Sequence, residues 1–153
     1  MNTSLPSESI QMVDLLGQYK KIEDEINNAI LGVIQETAFI NGPAVKELKL
    51  NMQKAFNVKH VIPCANGTDA IQIALMALDL KPGDEIITTT FTFIATAEVI
   101  ALLQLKPVFV DVYNDSFTLN IEEVEKAITP KTKAIIPVHL YGQSSEMEKL
   151  MDL

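Results

Sequence analysis

The chain has 153 residues, 48% of them hydrophobic and 21% charged, about one domain's worth of material with enough apolar content to bury a core, which argues against disordered and low-complexity classes. Its 12 basic residues face 20 acidic ones, a net charge of −8, and that balance argues against nucleic acid or an anionic membrane as partner. All the basic residues are lysines, so a bound phosphate would meet no guanidinium fork and would fall to backbone amides or to another chain.

The start, Met1 to Ile10, is short and polar and does not read as a signal peptide. No apolar run approaches the roughly 18 residues that span a bilayer. The single cysteine, Cys64, sits in no metal-binding spacing and has no intramolecular partner. A soluble, cytoplasmic protein is the expectation.

In chain order, Ile22, Ile26, Ile30, Val33 and Ile34 recur at helical spacing between Gln18 and Thr37. Asn41-Gly42-Pro43 breaks the chain, and Pro43 suits the first turn of a second helix with Val45, Leu48, Met52 and Phe56 on one face. Val61 to Ala65 reads as a short strand. Helix and strand then alternate: a helix over Thr68 to Leu80, a turn at Lys81-Pro82-Gly83-Asp84, and a strand over Glu85 to Thr89. A helix over Ile94 to Gln104 precedes a strand over Pro107 to Val112, and a helix over Asn120 to Ile128 precedes a strand over Lys133 to His139. Asn120 with Glu123, and Ser145 with Glu148, have the spacing of capping boxes. The strands are largely apolar and the alternation is strand–helix, which predicts an α/β fold with a mainly parallel sheet flanked by helices.

Open parallel sheets bind ligands beyond the carboxyl ends of their strands. There the sequence offers Asn66-Gly67-Thr68-Asp69, opening a helix, where Gly67 admits a close approach and the amides of Thr68 and Asp69 would face a phosphate. The same residues also suit an ordinary helix cap. Neither a dinucleotide-binding GxGxxG nor a Walker A sequence is present. Thr90-Phe91-Thr92-Phe93 follows the next strand and supplies a ring for a planar ligand, or simply core packing. His139 and Tyr141 lie beyond the last strand, where a histidine serves as base, donor or plain structural residue. Cys64, among apolar neighbours, reads as packing.

Taken together, several segments resemble the amino-terminal part of the DegT/DnrJ/EryC/StrS family of sugar aminotransferases. They include Phe39-Ile40-Asn41-Gly42, Ala65-Asn66-Gly67-Thr68-Asp69-Ala70, Lys81-Pro82-Gly83-Asp84-Glu85-Ile86-Ile87, Pro107-Val108-Phe109-Val110-Asp111-Val112 and Val138-His139-Leu140-Tyr141-Gly142-Gln143. The resemblance implies a pyridoxal-phosphate (PLP) enzyme with the large α/β domain of the aspartate-aminotransferase type, usually a homodimer. It implies an amino-terminal arm over residues 1–17 and a partial cofactor-binding large domain over 18–153. Gly67, Thr68 and Asp69 match the family's phosphate-binding turn, and Phe93 matches the aromatic that stacks on the pyridine ring. His139 and Tyr141 lie in a matching segment without an assigned role.

The implied reaction moves an amino group, from glutamate, to a keto group of a nucleotide-linked sugar, for cell-surface polysaccharide or related amino-sugar biosynthesis. The family's Schiff-base lysine and its aspartate for the pyridine nitrogen would lie beyond Leu153, so the chain alone is expected to be inactive. The small carboxy-terminal domain would be absent as well, and Lys49 stands where the family pattern suggests an acid. A dehydratase of the same family, with histidine in place of the lysine, and a non-catalytic α/β module are the alternatives.

Overall fold

Residues 12–153 are described by the computed structural model; the polar start Met1 to Ile10 and the first eleven residues of the expected arm lie outside them. The chain divides into two compact units, Met1–Pro63 and Cys64–Leu153.

The first unit is helical. Asp14 caps helix α1 (Leu15–Lys21), its carboxylate accepting the Gly17 amide at 2.8 Å. One long helix is predicted over this region, but Ile22, at φ −129°, separates α1 from α2 (Glu23–Glu36). Charge favours that division. Lys20 and Lys21 sit at the negative end of α1, and Glu23, Asp24 and Glu25 at the positive end of α2. Helix α3 (Pro43–Phe56) starts at its proline as expected and ends at Asn57 in the left-handed conformation.

The second unit is a three-stranded parallel sheet with helices on both faces. Helix α4 (Gly67–Ala77) leads through a turn to β1 (Glu85–Thr89), α5 (Ala95–Leu102), β2 (Lys106–Val110), α6 (Ile121–Ala127), β3 (Thr132–Ile135) and α7 (Met147–Met151). The strand order is β2-β1-β3. Gly83, at φ +88°, makes the turn into β1. Ile86 faces Pro107 on one side and Ala134 on the other, and Ile87 faces Val108 and Ile135.

The two-residue period of β1 divides the core. Ile86 packs with Leu75, Val99, Ile100 and Leu105 under α4 and α5. Ile87 packs with Leu119, Ile121, Val124 and Leu150 under α6 and α7. Ile86, Ile87, Val99, Ile100, Leu119 and Val124 are fully buried, each contributing roughly 1.5–3 kcal/mol through the area it removes from water. The connection β1–α5–β2 and the return β2–α6–β3 run in opposite directions across the sheet, so right-handed crossovers send α5 and α6 to opposite faces.

The differences from expectation have local causes. Val61 to Ala65 is not a strand: an apolar run makes one only by pairing with a neighbour, and no ladder to this segment forms among the described residues, where the sheet consists of β1, β2 and β3. The strand expected to reach His139 stops at Ile135. Ile136 still donates its amide to Ile87 O at 2.8 Å, but Pro137 has no N–H to continue. The strand expected to reach Val112 stops at Val110, because Val112 pairs antiparallel with Leu119 instead. Asn120 caps α6 as foreseen, accepting the Glu123 amide at 3.2 Å. Ser145 does not cap α7. Its hydroxyl donates to Val138 O at 3.0 Å and its amide to His139 Nδ1 at 3.1 Å, so α7 opens later. No helix among the described residues is long and apolar enough to cross a membrane.

Candidate functional site

Helix α4 has 11 residues and is about 16 Å long, close to the roughly 17 Å of a five-residue strand. A short connection joins its end to the start of β1 while Leu75 packs on Ile86. Its first turn therefore lies at the carboxyl edge of the sheet, where β1 delivers the segment Thr90 to Phe93 and the chain beyond β3 delivers His139. The sequence-predicted residues Gly67, Thr68, Asp69 and Phe93 all belong to this edge of the second unit, and α4 packs against α5, which Phe93 precedes.

Asn66 stands at the cap position in extended backbone, and its Oδ1 accepts the Asp69 amide at 2.9 Å. Its Nδ2 donates to the Asp69 carboxylate at 3.3 Å. This corrects the expectation of a free amide at Asp69: that donor is taken, and the carboxylate has the wrong sign for an anion. The amides of Gly67 and Thr68 make no hydrogen bond within the described residues. Beside Gly67 a Cβ would meet no atom within 4 Å. Among the described residues the helix thus starts with two unpaired donors at its positive end, with open space beside Gly67, an arrangement that suits a phosphate. The Phe93 ring is 75% exposed, so the core-packing alternative does not apply to it.

The loop behind Phe93 is anchored. Thr89 Oγ1 accepts the Phe91 amide at 3.1 Å, and Thr92 and Thr96 hydroxyls meet at 3.3 Å. Thr88, fully buried, donates to Ile136 O at 3.0 Å and ties β1 to the chain beyond β3. His139 spends Nδ1 on the Ser145 amide, which makes it a structural clasp for the segment between them. Tyr141 is 92% exposed in a 3₁₀ turn at φ 50°. Cys64 is exposed, with its thiol 3.4 Å from Asn66 O, so the reading of it as core packing is corrected.

On the face of α6 and α7 the same edge opens a polar cleft of about 410 Å³ among Tyr113, Glu122, Ser144 and Lys149. Its groups satisfy one another. Tyr113 donates to Glu122 Oε2 at 2.6 Å, which holds that carboxyl below the usual range. Burial and the Glu122 carboxylate hold the phenol above its usual range. Lys149 pairs with Glu146 at 2.7 Å. Among the described residues, no group of three or more His, Cys, Asp or Glu side chains is placed to hold a metal.

One feature of this edge has no sequence signal. Phe117 takes φ 56° and sets its ring 5.3 Å from that of Phe91, centroid to centroid. Positive φ is foreseeable at glycine or asparagine and not at phenylalanine.

The second unit is thus an α/β sheet with an open helix start and an exposed ring at its carboxyl edge. Residues 20–153 match the DegT/DnrJ/EryC1/StrS aminotransferase family, and the chain belongs to that family. It is 47% identical to the UDP-2-acetamido-2-deoxy-3-oxo-D-glucuronate aminotransferase of Pseudomonas aeruginosa, over 92% of this chain and 39% of that one. A DegT DnrJ EryC1 StrS aminotransferase from Brucella abortus superposes with TM-score 0.88 at 42% identity, over 94% of this chain and 40% of that one. The NtdA structure from Bacillus subtilis with bound cofactor PMP superposes with TM-score 0.82 at 35% identity, over 86% and 30%. The chain therefore spans about 40% of the length of the first two of these proteins.

Proposed function

We propose that this chain is the phosphate- and ring-binding part of a PLP-dependent aminotransferase that moves an amino group from an amino acid such as glutamate to a keto group on a nucleotide-linked sugar. The observation that carries the reading is the pair of unpartnered amides at Gly67 and Thr68, opening onto free space at the carboxyl edge that also bears the exposed Phe93 ring. The kinship with a UDP-sugar aminotransferase supports the substrate class. The complete protein acts as a cytoplasmic homodimer in amino-sugar synthesis for surface polysaccharide.

These residues fit the cofactor. The Gly67 and Thr68 amides, at the positive end of α4, would hold its phosphate, and the Thr68 hydroxyl would add a donor. Asn66 keeps those amides in place by capping the turn behind them. The Phe93 ring would stack on the pyridine and shield it from water. When bound, PLP supplies an electron sink for the amino-carrying carbon.

No lysine of the second unit stands ready to anchor the cofactor. Lys81, Lys106, Lys131 and Lys133 lie before or at the starts of strands, Lys126 in the last turn of α6, and Lys149 is engaged by Glu146 in the other cleft. We assign covalent attachment, and the proton transfers that go with it, to a residue outside these 153. The test is a titration of the chain with PLP followed by borohydride. Reversible binding that weakens in Phe93→Ala, with no reduced adduct and no transamination, is the expected result. A lysine adduct on this chain, or no PLP binding at all, overturns the corresponding half of the reading.

A further inference from the structure

The strand-to-helix connection after β2 folds back on itself as a small hairpin. Val112 pairs with Leu119, the Tyr113 amide donates to Thr118 O at 2.9 Å, and the Phe117 amide donates to Tyr113 O at 2.9 Å. The root of the hairpin is immobilised by burial, because Leu119 is fully buried among Ile87, Val110 and Val124, and Thr118 is buried beside it. The end of the hairpin carries Phe117 at φ 56°. A bulky L-residue adopts that conformation at a cost, and such strain persists only where the surroundings over-determine it.

The strained conformation turns the Phe117 ring onto Phe91, with centroids 5.3 Å apart and planes tilted by 31°. Phe91 lies two residues before Phe93, in the loop that presents the exposed ring. From the β1 side that loop is held by the Phe91 amide on Thr89 Oγ1, the Thr92 amide on Thr90 O and the Thr92 hydroxyl on Thr96, and its end by the Thr96 amide on Phe93 O, none of which involves the Phe91 ring. Both rings of the pair are 48% exposed, so little of their contact is forced by core burial.

We propose that Phe117 is a positioning residue: its ring, carried by the hairpin after β2, braces Phe91 and so fixes the loop that sets Phe93 against the cofactor. The proposal rests on the reading of Phe93 as the stacking ring. It makes the hairpin part of the binding site without touching the ligand, and it gives the positive φ at Phe117 a role.

Phe117→Gly is the informative variant, since it removes the ring and relieves the positive φ, whereas alanine would keep the strain. Phe117→Tyr keeps the ring. In Phe117→Gly, hydrogen exchange of the Phe91 and Thr92 amides is expected to rise about two- to tenfold, the range an aromatic pair contributes. Exchange at Ile86 and Ile87 stays at the parent rate. The dissociation constant for PLP rises by a similar factor, and Phe117→Tyr returns both quantities to the parent values. Unchanged exchange in Phe117→Gly overturns the proposal, as does faster exchange with undiminished PLP affinity while Phe93→Ala still weakens binding. If Phe93→Ala binds PLP like the parent, the stacking reading fails by itself and takes this proposal with it, an outcome distinct from a failure at Phe117 alone.

Discussion

At the amino-terminal ends of the strands polar groups meet around a buried carboxylate, whereas at the carboxyl-terminal end beside α4 two amides and an aromatic ring are left open. Glu85, buried at the start of β1, receives Lys106 Nζ at 2.9 Å from β2 and the Thr129 hydroxyl at 2.6 Å from the segment before β3. Its amide donates to Lys131 O at 2.9 Å. One side chain thus knits the beginnings of all the strands. Across the sheet, Gly67 and Thr68 keep unpaired amides, and Phe93 and Tyr141 extend into solvent. The contrast separates the edges: one ties the strands together, and the other, in the proposed function, meets the ligand.

The comparison can be broken most severely from the layer between the edges. Ile87→Ala should destabilise the second unit by about 2–5 kcal/mol, as loss of a fully buried aliphatic side chain does. Urea denaturation followed by circular dichroism measures this. A loss under about 1 kcal/mol would mean the site can collapse around the cavity, against the close packing seen on that face.

Glu85→Gln comes next, with a lower melting temperature at neutral pH and unchanged PLP binding. The hydrogen bond from Thr129, then that from Lys106, holds the Glu85 carboxyl below its ordinary value of 4.5. Its folded pKa is therefore depressed. The contribution is complete above about pH 4.5 and is lost as pH falls through the lower folded value. Melting curves of parent and variant should converge on acidification through that window. A constant gap would show that the charge is not what matters.

Asn66→Ala should cost about 1 kcal/mol through loss of the cap and should also weaken PLP binding, because the amides it orders belong to both tasks. Phe93→Ala should shift stability by less than about 0.5 kcal/mol, as expected for an exposed side chain, while PLP affinity falls about tenfold at most. Loss of stability without loss of binding at Phe93 would reverse the division between the edges.

Much of the carboxyl edge was legible because local chemistry dictates it. Gly67 and Thr68 follow a capping asparagine at the start of an apolar helix, and Phe93 follows a β-branched strand, so spacing alone brought them to one edge. Asp69 was misjudged in detail: sequence marks it as a first-turn residue, but the side-chain geometry of Asn66 decides which amide is consumed. His139 was legible as an edge residue, while its engagement by Ser145 depends on how the chain turns after Pro137. Cys64 and the Val61–Ala65 segment were misread for one reason, since apolar content cannot report whether a partner strand is present.

By itself, the sequence determined the alternation of strand and helix, the burial of β1 on both faces, the capped helix start at Asn66 and the family resemblance. Each follows from residue type and spacing along a few neighbouring positions. Tertiary structure decided the strand order β2-β1-β3, the early ends of β2 and β3, the Glu85 junction and the contact between Phe91 and Phe117. Those depend on groups far apart in the chain meeting in space, and only packing determines which of them meet.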